Sequence, residues 1–183
     1  LLLGRGQSIE KYITEIEAYI QEQQPVVIAI NVGHAISSKY IDYYCVSHNS
    51  KFLSERGTYS GLGKPLILPK HLFLDAEMTN ITDNARILDY GLVIELGSFQ
   101  VNGTHCILPY ELTVGYALAA IANSSVDCVS LVGFDGYERG DIRQTEMVNL
   151  LTLIGNEENL NKLRALTPTT YPIEQGSIYA RFK

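Results

Sequence analysis

The chain has 183 residues, 46% of them hydrophobic and 19% charged, the proportions of a globular chain with a core of its own. A net charge of −6 and a pI of about 5.2 argue against a nucleic-acid surface, which needs a basic patch. No apolar run approaches the roughly 20 residues of a membrane span, and three cysteines with no C-x-x-C spacing indicate neither a disulfide framework nor a zinc site, which fits a cytoplasmic setting.

Residues 1 to 3, all leucine, read as a short strand. Ser8 reads as a helix N-cap, and Ile9, Tyr12, Ile13, Ile16, Tyr19 and Ile20 follow at helical spacing. Pro25 ends that helix. "VVIAI" (26–30) reads as a strand buried on both faces, so strand, helix and strand make a βαβ unit with a parallel pair. "YIDYYCVS" (40–47) is another strand, residues 50 to 63 a loop or short helix, and "PLILP" (65–69) a short strand. A short helix is expected near 82–90, then a strand at "LVIEL" (92–96), then irregular chain over 97–110. Thr113 to Asn123 is a helix, with Val114, Ala117, Leu118 and Ile121 on one face. "VDCVSLVG" (126–133) is a strand. Met147, Leu150, Leu151 and Ile154 mark a helix, a short helix is expected near 157–165, and "LTPTTYPI" is irregular. Cys45 and Cys128 lie in apolar runs and read as buried thiols. Three N-x-S/T triplets, at Asn80, Asn102 and Asn123, read as coincidental.

Strands alternating with helices predict an α/β chain, a three-layer Rossmann-like sandwich with a mostly parallel sheet, forming one domain over 1–183. The chain begins with Leu and a strand at once, which reads as a domain cut from a longer chain. Ligands of such sheets bind outside the carboxyl ends of the strands, so those ends select the candidates.

Strand 1 ends in Gly4-Arg5-Gly6-Gln7-Ser8. Glycines let the backbone approach a phosphate, a helix N-terminus favours an anion, Ser8 adds a hydroxyl and Arg5 a positive charge. A plain strand–helix corner has the same composition, and the turn matches neither G-x-G-x-x-G nor a Walker A loop. Asn31 follows strand 2, where it suits a ligand contact or a local turn. His48, after the strand ending at Ser47, is the most site-like of the four histidines, which lack metal-ligand spacing. Asp135 and Tyr137 emerge after the late strand, where Gly133 and Gly136 allow unusual backbone angles. Asp135 suits a hydroxyl contact, a catalytic base or a turn cap, and Tyr137 a phosphate contact or packing.

Gly4-Arg5-Gly6-Gln7-Ser8-Ile9, Asn31, Thr113 and Gly133-Phe134-Asp135-Gly136-Tyr137, in that order, resemble the nucleotide-binding motifs of Campylobacter-type sialyltransferases. The 6-hydroxymethylpterin diphosphokinases of archaeal type share a similar turn. Over most of its length, through the glycine turn, "VVIAIN" and "GFDGY", the chain also resembles the carboxyl-terminal domain of bacterial HMG-CoA-lyase-like or 4-hydroxy-2-oxovalerate aldolase-like proteins of surface-polysaccharide gene clusters. The sialyltransferase resemblance implies that Gly4, Gly6, Ser8, Asn31 and Thr113 bind a CMP-like nucleotide or CMP-sugar and that Tyr137 steadies the departing phosphate. That family's later catalytic His has no counterpart, since no His follows His105, and its second phosphate-binding Tyr has no clear match, Arg143 lying near its place. His48 and Asp135 are the remaining candidates for a base.

Three functions follow: binding of a nucleotide-sugar, with glycosyl transfer in surface-polysaccharide biosynthesis as its chemistry; a non-catalytic accessory or oligomerisation domain of an aldolase- or lyase-like chain; and diphosphokinase-like phosphotransfer. The last would need Mg²⁺ held with the nucleotide, with Asp83, Asp135 and Asp141 available. An aldolase barrel does not fit, since it takes about 250 residues. A Rossmann dehydrogenase would need an acidic residue where Asn31 stands.

Overall fold

A computed structural model describes residues 1–78, 85–155, 160 and 162–180. Eight strands form one sheet in the spatial order β11-β10-β9-β1-β2-β3-β4-β5, and every described pairing within it is parallel. The strands are β1 (Leu2–Leu3), β2 (Ile28–Ile30), β3 (Tyr43–Cys45), β4 (Leu66–Leu68), β5 (Ile87–Asp89), β9 (Val129–Val132), β10 (Leu163–Ala165) and β11 (Glu174–Gln175). A small second sheet holds β6 (Gly91–Ile94), β7 (Gln100–Val101) and β8 (His105–Leu108), with β8 parallel to β6 and antiparallel to β7.

The sheet carries helices on both faces because its strands are apolar on both. Successive strand side chains alternate in direction. Leu2, Cys45 and Leu131 therefore pack with the helices α5 (Thr113–Ala122) and α6 (Ile142–Ile154) and with the small sheet. Leu3, Tyr44 and Val132 pack instead with α1 (Ser8–Lys11), α2 (Ile13–Gln23) and α3 (Asn49–Leu62). The result is the expected three-layer α/β arrangement. A further short helix, α4 (Asp75–Met78), follows β4. No helix among the described residues is long and apolar enough to cross a membrane.

β1 lies at the centre of the sheet. The chain leaves it through α1 and α2 on one face, and leaves the neighbouring β9 through α6 on the other. Adjacent parallel strands whose connections part to opposite faces open a crevice at their carboxyl ends. The Gly4 turn and the Gly133–Tyr137 segment flank that crevice.

Several expectations are corrected. Residues 49–62 form a full helix, although its apolar stripe is reduced to two fully buried rings, Phe52 and Tyr59. Of the helix expected near 82–90, residues 82–84 lie outside the described residues, while 87–89 are a strand paired to β4. The helix expected near 157–165 falls partly outside them too, and Leu163–Ala165 is a strand paired to β9. Residues 97–110 contain the β7–β8 pair. Ser8 is the first helical residue rather than the N-cap, and Gln7 at the cap makes no side-chain bond. Cys45 is buried as expected, whereas Cys128 is exposed, since it precedes β9 instead of lying in it.

Candidate functional site

A cleft of about 590 Å³ occupies the crevice at the carboxyl ends of β1, β2, β3 and β9. Its walls bring together eight of the nine candidates taken from the sequence: Gly4, Arg5, Gly6, Asn31, His48, Thr113, Asp135 and Tyr137. Ser8 lies behind the wall, nearly closed to solvent.

The glycine turn is tied to β9 more than it is open to a ligand. Gly4 N–H donates to the Val132 carbonyl and Gly6 N–H to the Gly133 carbonyl, each at 2.8 Å. A Cβ on Gly4 would meet Gly133 O at 2.3 Å, and one on Gly6 would meet the Asp135 carboxyl carbon at 2.5 Å. Both glycines are therefore needed for close approach of two chain segments. Ser8 N–H donates to Asp135 Oδ2 at 2.8 Å, and the Ser8 hydroxyl donates to Oδ1 of the same carboxylate. Asp135 thus caps α1 and takes the Ser8 amide and hydroxyl that a phosphate would otherwise use. Thr167, after β10, locks the arrangement: its hydroxyl accepts from Gly133 N–H at 3.0 Å and lies 3.1 Å from Ser8 Oγ.

Asn31 has a left-handed backbone, φ 59°, at the end of β2, and its Oδ1 is buried with no hydrogen-bond partner. The Thr113 hydroxyl is bonded to Ser47 at 2.9 Å, which fixes the start of α5 against the end of β3. His48 Nδ1 lies 3.3 Å from Glu111 Oε1, so Nε2 is the ring nitrogen left for the cleft. Tyr137 is partly exposed, donates its N–H to Gln144 Oε1, and lies under the Arg143 guanidinium, 4.4 Å from ring centroid to Cζ. Arg143 is also held by Asp141, the α6 N-cap, which it keeps below the usual carboxylate range.

Helix ends complete the site. The first intrahelical bond of α3 runs from Phe52 N–H to His48 O, and that of α5 from Tyr116 N–H to Leu112 O. The N–H groups before them have no acceptor inside their helices. Neither cap residue supplies a side-chain bond, and both ends open on the cleft, through Ser50 and Lys51 on one side and Leu112 to Val114 on the other. The cations Arg5, Lys51 and Arg143 line the same space, against one carboxylate, Asp135, that Ser8 already engages. Arg5 and Lys51 both contact Glu55 Oε1, at 3.5 and 2.5 Å.

Three residues of the wall escape the sequence reading. Lys51 belongs to a stretch read as a loop or short helix. Arg143 is noticed only as a neighbour of a missing Tyr. Tyr171, whose hydroxyl is pushed up by burial and by the neighbouring Tyr137, sits in the irregular tail that returns beside Phe134 and Asp135. A strand at 163–165 next to β9 would have placed that tail at the crevice. Among the described residues no three His, Cys, Asp or Glu side chains gather as a metal site requires, and Asp83 lies outside those residues.

No protein-family model matches the chain, and no curated protein or solved structure is significantly similar to it.

Proposed function

We propose that the chain is a nucleotide- or nucleotide-sugar-binding domain that holds its ligand's phosphate in the cleft at the carboxyl ends of β1, β2, β3 and β9. One observation carries the reading: two uncapped helix N-termini, of α3 and α5, open into the same cleft as Arg5, Lys51 and Arg143. Free N–H groups and the helix dipole favour an anion there, and guanidinium groups give paired bonds to phosphate. In this reading the phosphate sits across from the glycine turn, between α3 and α5, because the amides of Gly4, Gly6 and Ser8 are already bonded. Asn31 and Tyr137 flank the sugar and base. The resemblance to sialyltransferase motifs supports a CMP-like ligand. Asp135 and Asp141 are each engaged within the protein, which favours this reading over a diphosphokinase that would use them for Mg²⁺.

Should transfer occur, His48 is the group to accept the proton of an acceptor hydroxyl. A general base needs a free lone pair within reach of that proton and a fixed orientation. Glu111 supplies the orientation at Nδ1, whereas both oxygens of Asp135 are occupied by Ser8. Binding without turnover is what an accessory domain of an aldolase-like chain would need, so the two activities are measured separately. Calorimetry with CMP, CMP-sugars and other nucleotides is expected to give saturable binding at millimolar concentration or below, weakened fivefold or more by Lys51→Gln. Absence of binding to the folded protein overturns the reading. Donor turnover abolished by His48→Ala, with binding retained, would establish transfer.

A further inference from the structure

Four buried side-chain atoms of the described residues have no hydrogen-bond partner: Asn31 Oδ1, His34 Nδ1, Glu55 Oε2 and Tyr59 Oη. They gather in one place. Lys51, Glu55 and Tyr59 are spaced by four on α3 and so share one face. Along it burial deepens, from a Lys51 side chain 37% exposed at the cleft wall, through 18% at Glu55, to none at Tyr59. Arg5 reaches Glu55 from the glycine turn, and its Nη2 comes within 3.6 Å of where a Cβ on Gly33 would stand. His34 follows Gly33, and both Arg5 and Glu55 act on its charge. Buried polar groups in folded proteins almost always find a partner, so four unpaired ones together call for an explanation.

Their chemistry is one-sided. His34 Nε2 lies 2.9 Å from the Ile30 carbonyl, so it carries the proton and Nδ1 is an acceptor. Burial holds the His34 pKa down and keeps the ring in that neutral form. Asn31 Oδ1 and the Glu55 carboxylate oxygen are acceptors too. Three acceptors and one phenol hydroxyl suit a ligand group that supplies donors.

Resting on the phosphate reading of the cleft, we propose that this recess is the specificity subsite for a nucleobase bearing an exocyclic amino group, reached when Arg5 turns from Glu55 to the ligand phosphate. The four atoms are closed to solvent, and Arg5 covers Glu55 through a long contact of 3.5 Å. A phosphate at the cleft offers Arg5 a doubly charged partner and uncovers Glu55. Glu55 lies one turn from Lys51 along α3, about 6 Å, and Tyr59 two turns, about 12 Å. The ribose hydroxyls of a 5′-phosphate lie closer to the phosphate than the deeper of these, which leaves the base to reach inward. An oxo base would set carbonyl oxygen against acceptor oxygen.

The test compares matched pairs, CMP with UMP and AMP with IMP, by calorimetry on the wild type, Glu55→Gln and Tyr59→Phe, with circular dichroism to confirm folding. At least one amino member is expected to bind tenfold or more tightly than its oxo twin. Glu55→Gln is expected to bring that ratio within threefold, and Tyr59→Phe to reduce it. The ratio cancels any change in phosphate affinity from freeing Arg5 and Lys51. Equal affinities within both pairs in the wild type overturn the proposal and leave the phosphate reading standing, as does a ratio that neither substitution moves. Failure of every nucleotide and of pyrophosphate to bind overturns both.

Discussion

At the scale of single residues, the glycine turn owes its composition to contact between chain segments. Gly6 illustrates this best, because its missing Cβ is the space taken by the Asp135 carboxylate, with Cγ 2.5 Å and Oδ1 2.6 Å from where that Cβ would stand. Gly6→Ala must move Asp135, and with it the two bonds that Ser8 donates. Loss of that cap and the strain of overpacking each cost about 1–3 kcal/mol. Thermal denaturation is expected to show Tm lowered by roughly 4–24 °C for a chain of this size. A Tm unchanged within 1 °C would mean that the carboxylate moves aside freely and that the turn is open to a ligand after all. The sequence made the turn conspicuous but not its partner. G-x-G-x-S is compatible with a phosphate cradle and with close packing, and Asp135 enters the choice only when β1 and β9 are known to be neighbours.

At the scale of elements, legibility follows apolar content. The runs 1–3, 26–30 and 126–133 are apolar enough for strands buried on both faces, and β1, β2 and β9 form within them. β5 and β10 are harder. Each has three residues, one of them charged, and each is a strand because a neighbour's free edge pairs with it. That is a long-range condition to which local periodicity is blind. α3 is hidden for a different reason. Its interior carries Gly57 and Gly61, and Phe52 and Tyr59 are its buried residues. A glycine inside a helix costs roughly 0.5–1 kcal/mol relative to alanine, and a Cβ on Gly57 would meet nothing within 4 Å. Gly57→Ala is therefore expected to raise Tm by roughly 1–3 °C with nucleotide affinity unchanged. A lowered Tm would show that the Gly57 face of α3 is covered rather than open.

At the scale of the whole molecule, an acidic protein carries a cleft lined by three cations, and for the anionic ligand proposed above the two charges act at different ranges. The net charge of −6 excludes a broad basic surface, and the site needs none. Arg5 and Lys51 share Glu55, and Arg143 is paired with Asp141. The first group keeps one net positive charge and the second none, and Asp135 in the same wall offsets the first, so from a distance the site is close to neutral and an approaching nucleotide meets mainly the net negative charge. Near contact the order reverses, because a cation about 4 Å from a phosphate is worth about 1 kcal/mol in water and several times that near a protein surface. The long-range repulsion, on the order of 1 kcal/mol for a doubly charged ligand at about 25 Å, is screened as the Debye length falls from about 30 Å at 0.01 M salt to about 8 Å at 0.15 M. Stopped-flow measurements with a nucleoside monophosphate are thus expected to show association accelerating roughly two- to fivefold over that range, while the contact term weakens and dissociation also quickens. Most basic clefts do the reverse, since salt removes their steering. An association rate that falls steeply with salt would show that the cleft projects a positive field into solvent, which requires Arg5, Lys51 and Arg143 to be released from Glu55 and Asp141 before the ligand arrives.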